Sequence, residues 1–319
     1  MKRILLGIII FSCFPWQKAL TQEDVSDSLN IDSSSLEIGA NYDSNYNYYG
    51  IFNNFKVQPS LLPSLSYYGK RGLFLYSSYQ FLFNSPSGSK SYSTETDLLA
   101  GWNFNLFDEA VTISPSYCHF FYSSGNQSGK TIYSQQTELA ISGIFNWFRP
   151  SLNTDYLFGQ RSAFNFNLVT GTNFHWSNIL TKEASLDFSP AIGTNYGQLS
   201  HYPVVDHMLS TQLSPARVQY GDNITIRTLE ANGTIVKNRA FDKILANIDP
   251  DATLGQIFTP PPKNFHFNSV DLFLPVTYSL KNITFTSGLD FSEPLSVPNF
   301  IKTKAIIYFS GGISYSFNL

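Results

Sequence analysis

The chain has 319 residues, of which 16% are aromatic and only 13% charged, the latter about half the share usual in soluble globular proteins. So little charge points to a membrane, yet a mean hydropathy of -0.10 is too low for a helical bundle, and past the N-terminus nothing approaches the roughly 20 uninterrupted apolar residues of a spanning helix. A formal net charge of -3 gives no reason to expect nucleic acid as a partner, whereas a strand barrel fits both numbers because only alternate residues face lipid.

The N-terminus reads as an export signal. Lys2 and Arg3 form a positive start, Ile4 to Phe14 is an apolar stretch too short to span, and Ala19-Leu20-Thr21 offers cleavage before Gln22. Ile10-Phe11-Ser12-Cys13 bears a slight likeness to a lipoprotein box, but the bulky Phe11 fits it poorly, so Cys13 is expected to leave with the signal. Cys118 is then the only cysteine, a packed thiol without an intrachain disulfide. Residues 1–21 are thus read as the signal peptide and the Asp- and Ser-rich 22–34 as a flexible periplasmic lead-in.

From residue 35 to 319 the chain falls into segments that alternate apolar and polar, the pattern of a half-buried strand. Strands are predicted at 35–49, 55–68, 72–83, 94–106, 110–123, 132–147, 150–159, 162–177, 185–197, 269–280, 282–291 and 305–319. One set of connections is tight and charged, as in Gly69-Lys70-Arg71, Phe107-Asp108-Glu109, Phe148-Arg149 and Lys281-Asn282. The other set is mostly longer and polar, and the 198–268 segment far exceeds an ordinary connection. Short periplasmic turns opposite longer extracellular loops are the asymmetry of a transmembrane antiparallel up-and-down β-barrel. About 12 strands, an even number, place both termini on the periplasmic side.

The 198–268 segment carries turn signals, a short helix predicted near Arg239 to Ile248, and Thr259-Pro260-Pro261-Pro262. It is expected to cap the mouth, plug the lumen or meet a protein partner. No internal repeat is evident beyond the hairpin rhythm. Pro59, Pro63, Pro115, Pro190 and Pro275 fall inside predicted strands, where each loses a ladder hydrogen bond. A closed barrel has no free edge to take them, so they predict bulges or strands merged with their loops.

The side-chain period of two then sorts the faces. With the apolar residues toward lipid, the lumen is lined by Glu37, Asp43, Glu95, Asp97, Glu138, Asp155, Asp187, Asp271 and Asp290, together with Asn41, Asn45, Asn103, Asn165, Asn167 and Asn173. Lys56 and His175 are the only basic inward positions this phase predicts. Rings of carboxylates favour cations. Phe74, Tyr76, Leu82, Leu99, Phe120, Ile144, Leu157 and Phe273 also point inward and could fill a narrow barrel. An open lumen and a plugged one are therefore both consistent with the pattern. Tyr46, Tyr48, Tyr67, Trp147, Trp176 and Tyr278 fall near strand ends, where interfacial girdles belong.

Residues that would carry an enzyme's chemistry are sparse. His119, His175, His201, His207 and His266 show no zincin-type spacing, and there is no phosphate loop, dinucleotide fingerprint or CxxC. No catalytic residue, metal or cofactor is predicted.

The signal with Gln22 after its cleavage, the opening Asn41-Tyr42-Asp43-Ser44-Asn45-Tyr46 and the closing Ile313-Ser314-Tyr315-Ser316-Phe317 together resemble outer-membrane barrels of Bacteroidetes. Tyr315, Phe317 and Leu319 resemble the C-terminal signal read by the barrel-assembly machinery, although the chain ends two residues beyond Phe317. The resemblance implies an outer-membrane location among lipid, with that machinery as a partner during biogenesis, and names no solute. Two functions remain: a porin-like channel preferring cationic or neutral small solutes, or a non-conducting barrel serving a partner complex.

Overall fold

A computed structural model describes residues 33–44, 47–48, 51–52, 59–83, 93–122, 133–159, 162–198, 213–235, 245, 248–258, 265–295 and 305–319. The predicted signal peptide and nearly all of the lead-in lie outside these residues. Twelve antiparallel strands close into a barrel: β1 Ser35–Asp43, β2 Ser60–Tyr68, β3 Leu73–Leu82, β4 Ser93–Trp102 continuing through Phe104–Leu106, β5 Val111–Tyr122, β6 Tyr133–Gly143, β7 Arg149–Gly159, β8 Ser162–Gly171 with Phe174–Ser177, β9 Ala184–Phe188 with Ala191–Gly197, β10 His266–Leu280, β11 Ile283–Pro294 and β12 Ile306–Asn318. Each strand pairs with its neighbours in sequence. The ring shuts where β1 meets β12, in register from Ser35 opposite Asn318 to Asp43 opposite Ser310. Closure leaves no edge for another chain to pair with.

Alternation made this ring, and it is visible on both faces. Outward side chains such as Ile38, Leu98, Leu168, Ile192 and Ile313 stand about half exposed, while their inward neighbours Ser78, Asp97, Asn165 and Asn195 are shut off from solvent. A belt of large apolar groups open to the surroundings is what a bilayer would cover.

Four prolines sit inside this closed ladder. Between β2 and β3 the pairing skips Leu62 and Pro63, although Pro63 keeps its place opposite Ala40 of β1. Pro115 pairs with Leu139 of β6, but the β4 ladder breaks beside it at Asn103, whose N–H turns instead to the Gly72 carbonyl at 2.9 Å. Pro190 and Pro275 face each other's gaps: the Pro190 carbonyl accepts from Thr172 and the Pro275 carbonyl from Ser189, both at 3.1 Å. For Pro63, Pro115 and Pro275 the missing N–H thus faces a local break on one side while the other side stays paired, whereas Pro190 lies in the gap between the two segments of β9, where the ladders to both β8 and β10 are interrupted. Pro59 lies just outside β2.

The boundaries depart from prediction in two places that affect the lumen, the start of β10 at His266 and the hairpin between β6 and β7. β6 ends at Gly143, and the hairpin tip is Asn146-Trp147, with Phe145 bridging Phe148 and Asn146 at φ 57. β7 consequently starts at Arg149, which joins the inward phase of Asn153, Asp155 and Leu157. Two glycines are set by close approach. Gly72, at φ 94, would place a Cβ 2.3 Å from the Asn103 carbonyl oxygen, and Gly101 lies under the Phe74 ring, with 2.3 Å to Cζ.

The long connection from β9 to β10 contains a folded module of its own. Its helices are α1 at 213–220, α2 Ile226–Ala231 and α3 Leu254–Phe258. Leu213, Ala216, Ile226, Leu229, Ile235, Leu245, Ile248, Ala252, Leu254 and Ile257 pack together as one buried cluster that includes no strand residue. Its two halves mirror each other. Thr225 and Thr253 pair in a bridge and each caps the helix that follows, Thr225 accepting from the Thr228 N–H and Thr253 from the Gln256 N–H. Backbone bonds run reciprocally, Ile226 N–H to Ala252 and Leu254 N–H to Ile224, then Arg227 N–H to Pro250 and Gly255 N–H to Asp222. The Thr225–Thr253 bridge thus relates α2 and α3 by an approximate local two-fold. Most of the helix predicted near Arg239 to Ile248 lies outside the described residues.

Candidate functional site: the inner wall

Seven of the predicted lumen carboxylates, Glu95, Asp97, Glu138, Asp155, Asp187, Asp271 and Asp290, are buried on the inner face. Glu37 and Asp43 lie half-buried on the inward phase of β1, with Asn41 between them. Asn165 and Asn167 are buried on β8, Asn103 occupies the break in β4, and Asn173 the break in β8. Asn45, Lys56, Tyr46 and the side chain of Tyr48 lie outside what is described.

These groups fall into small hydrogen-bonded sets. Ser78 Oγ donates to Asp97 at 3.0 Å, and Gln136 Nε2 to Asp155 at 2.7 Å. Asp271 accepts from Ser269 at 2.8 Å and from Ser292. Ser114 Oγ donates to Asn103 Oδ1 at 2.7 Å. Toward the turn end, Asn173 Nδ2 and His175 Nδ1 both meet Asp187 Oδ1, at 3.2 and 2.8 Å, while Ser189 Oγ donates to Asn173. Asp187 thereby sets the orientation of the one inward histidine that sequence predicted.

The basic inventory is larger than the alternation suggested. Besides His175, the inward phase carries Arg149 at the turn end of β7 and His266 at the loop end of β10. Both lie where predicted boundaries were off by a residue or more, so their phase was not legible. His119 points outward beside Tyr117 and Phe121. His201 and His207 lie outside the described residues. Among the described residues no cluster of three or more His, Cys, Asp or Glu side chains could hold a metal.

The inner wall also has an apolar sector. Phe74, Tyr76, Leu99, Cys118, Phe120, Leu157 and Ala163 form one buried cluster across β3 to β8, and Phe273 packs with Val169 and Ala191. Ile144 is half-buried, and nothing is described of the Leu82 side chain. Cys118 is buried within this cluster, 1% exposed.

Outside, aromatic rings gather in two bands with aliphatic residues between. Trp102 with Phe104, Trp147 with Phe148, Phe174 with Trp176, Tyr278 with Phe285 and Tyr315 with Phe317 pack toward the turn end. Tyr79 with Phe81, Tyr156 with Phe164, and Tyr196 with Phe265 and Phe267 pack toward the loop end. Trp147 sits on the hairpin tip itself, 70% exposed, and not on a strand. Tyr67 reaches across to Ser34 near the β12 seam, and Leu319 is held there by its N–H to the Ser34 carbonyl at 2.8 Å.

No known family description matches the chain, and no curated protein does. Solved structures with a similar form include the KdgM porin, at 9% identity over 89% of this chain and 99% of that one with a TM-score of 0.44. The NanC porin follows at 9% identity, 88% and 98% coverage and a TM-score of 0.42. An outer membrane channel from Pseudomonas putida F1 shows 10% identity, 91% and 97% coverage and a TM-score of 0.42. At these identities and scores the likenesses add nothing to the barrel already evident in the strand ladders.

Proposed function

We propose that the chain is a porin-like, non-enzymatic channel of the outer membrane whose acidic, polar lumen favours cationic or neutral small solutes. In this reading the two aromatic bands mark the membrane interfaces, and the tight turns and both termini lie on the periplasmic side. The observation that carries it is the charge of the inner wall. Carboxylates project inward from Glu37 on β1 around to Asp290 on β11, while Arg149, His175 and His266 are the only basic groups on the described inward positions. An inner wall so biased repels anions and admits cations.

Planar-bilayer recording of the folded protein tests this. The expected result is stable steps whose reversal potential in a salt gradient shows cation preference, reduced when Glu138→Gln, Asp155→Asn and Asp271→Asn are combined. Anion preference would overturn the selectivity, and silence from a folded sample the channel. The buried apolar cluster around Phe120 and Leu157 favours a second reading, a non-conducting barrel filled by its own side chains, and silence would support it.

A further inference from the structure

Strand register lays out three neighbouring rows on the inner wall between β6 and β10. The middle row runs Asn153, Asn167, Asn195, Ser269, each opposite the next. A bulge in β10 brings Asn268 into it, where its Nδ2 donates to Asn195 Oδ1 at 3.0 Å. One step toward the loop end lies the row Glu138, Asp155, Asn165, and one step toward the turn end lies Asp271.

This shelf is short of donors. Asn153 and Asn167 are 3% exposed, and Asn165 and Asn268 0%; the Oδ1 atom of each has no hydrogen-bond partner, against a single unpaired donor on these rows, Asn165 Nδ2. No lysine or arginine stands on these rows. A buried acceptor left unpaired is destabilising, and four of them beside three carboxylates make a surface complementary to a ligand that brings donors and positive charge. A single metal ion does not fit, because the acceptors are spread over several strands at roughly 4.7–4.9 Å per strand and cannot converge on one centre. A neutral sugar fits less well, since its hydroxyls would leave the carboxylates uncompensated.

We infer that the Asn153–Asn167–Asn268 shelf binds a linear oligoamine, its ammonium groups set at short intervals along the row between Asp155 and Asp271. This rests on the channel reading for its purpose, since it names the solute class that the lumen would select, but its test does not depend on conduction. Spermidine is titrated calorimetrically into the full chain, folded in detergent at low ionic strength. Saturable binding is expected, weakened about tenfold or more by Asn153→Leu with Asn167→Leu, and likewise by Asp155→Asn, as for loss of hydrogen bonds to a charged group. Should the leucine pair fail to fold, Asn167→Ser serves, with at least about threefold weakening expected on the same ground. A neutral glycol of similar length should not bind. Absence of saturable binding, or binding indifferent to all of these substitutions, overturns the shelf. A barrel that conducts without binding spermidine refutes the shelf and leaves the channel standing; one that binds without conducting does the reverse.

Discussion

Leu168 offers the sharpest test of which face meets lipid. It stands on the outward face of β8, 52% exposed, between Phe164 toward the loop end and the Phe174–Trp176 pair toward the turn end. Its cross-strand neighbours are Leu152 and Thr194, and its chain neighbour Asn167 is buried on the other face. Placed between the aromatic bands, it should lie within the apolar span of the bilayer. An arginine there costs about 2–4 kcal/mol, which at 1.4 kcal/mol per decade lowers the folding equilibrium roughly 30- to 1000-fold. Leu180 supplies the control. It is 89% exposed in the turn between β8 and β9, where an arginine should cost about 0–1 kcal/mol. Both substitutions are read by urea titration of the protein in lipid vesicles, following tryptophan emission. If Leu168→Arg and Leu180→Arg shift the unfolding midpoint equally at unchanged slope, the outward belt is not a lipid face and the membrane reading falls.

The helical module supplies two further predictions. Leu229→Ala, which removes a fully buried side chain, should destabilise the module by about 2–5 kcal/mol; loss of helical circular dichroism with unchanged heat-modifiable migration of the barrel would confirm that the two cores are separate, and loss of both would refute it. On acidification, hydrogen bonding from Arg217 holds the Asp222 carboxyl below its ordinary value of 3.8. A depressed folded-state pKa contributes stability above the unfolded value, and that contribution disappears as pH falls below about 3.8. The helical melting midpoint should therefore hold level down to that pH and then drop, the drop shrinking in Arg217→Ala; an identical profile in the variant would exclude the pair as its source.

The strands were legible because a barrel wall needs one apolar and one polar face, and that requirement writes itself into every second residue. Ile307, Phe309, Ile313, Tyr315 and Phe317 announced β12, and the structure exposes all five. What alternation could not supply is whatever depends on a neighbour. Pro63 and Pro115 looked like errors within a strand because the break that accommodates each belongs to the pairing with the next strand. Arg149 was misplaced because the Phe145–Phe148 hairpin begins earlier than the charged dipeptide suggested. The two-fold relating α2 and α3 was not legible in the sequence because the two segments match in role and little in identity: Thr225-Ile226 answers Thr253-Leu254, but Glu230 answers Phe258. The repeated threonine followed by aliphatics was the available signal. For the lumen, parity supplied the acidic lining, but the donor shortage around Asn167 needed the bulge at Asn268, which no periodicity foretells.

The insertion point of the module has a consequence for how this protein can change. Gly197 and His266 are directly opposed partners on adjacent strands, so the chain leaves and re-enters the wall one strand spacing apart whatever lies between. The entropy of closing such a loop grows only slowly with its length, and the ring of twelve strands is complete without it. Wall and cargo are thereby separate subjects of selection: the segment between these two residues can be enlarged, trimmed or exchanged at little thermodynamic cost to the barrel. In engineering terms, that junction is a ready socket for carrying a foreign domain.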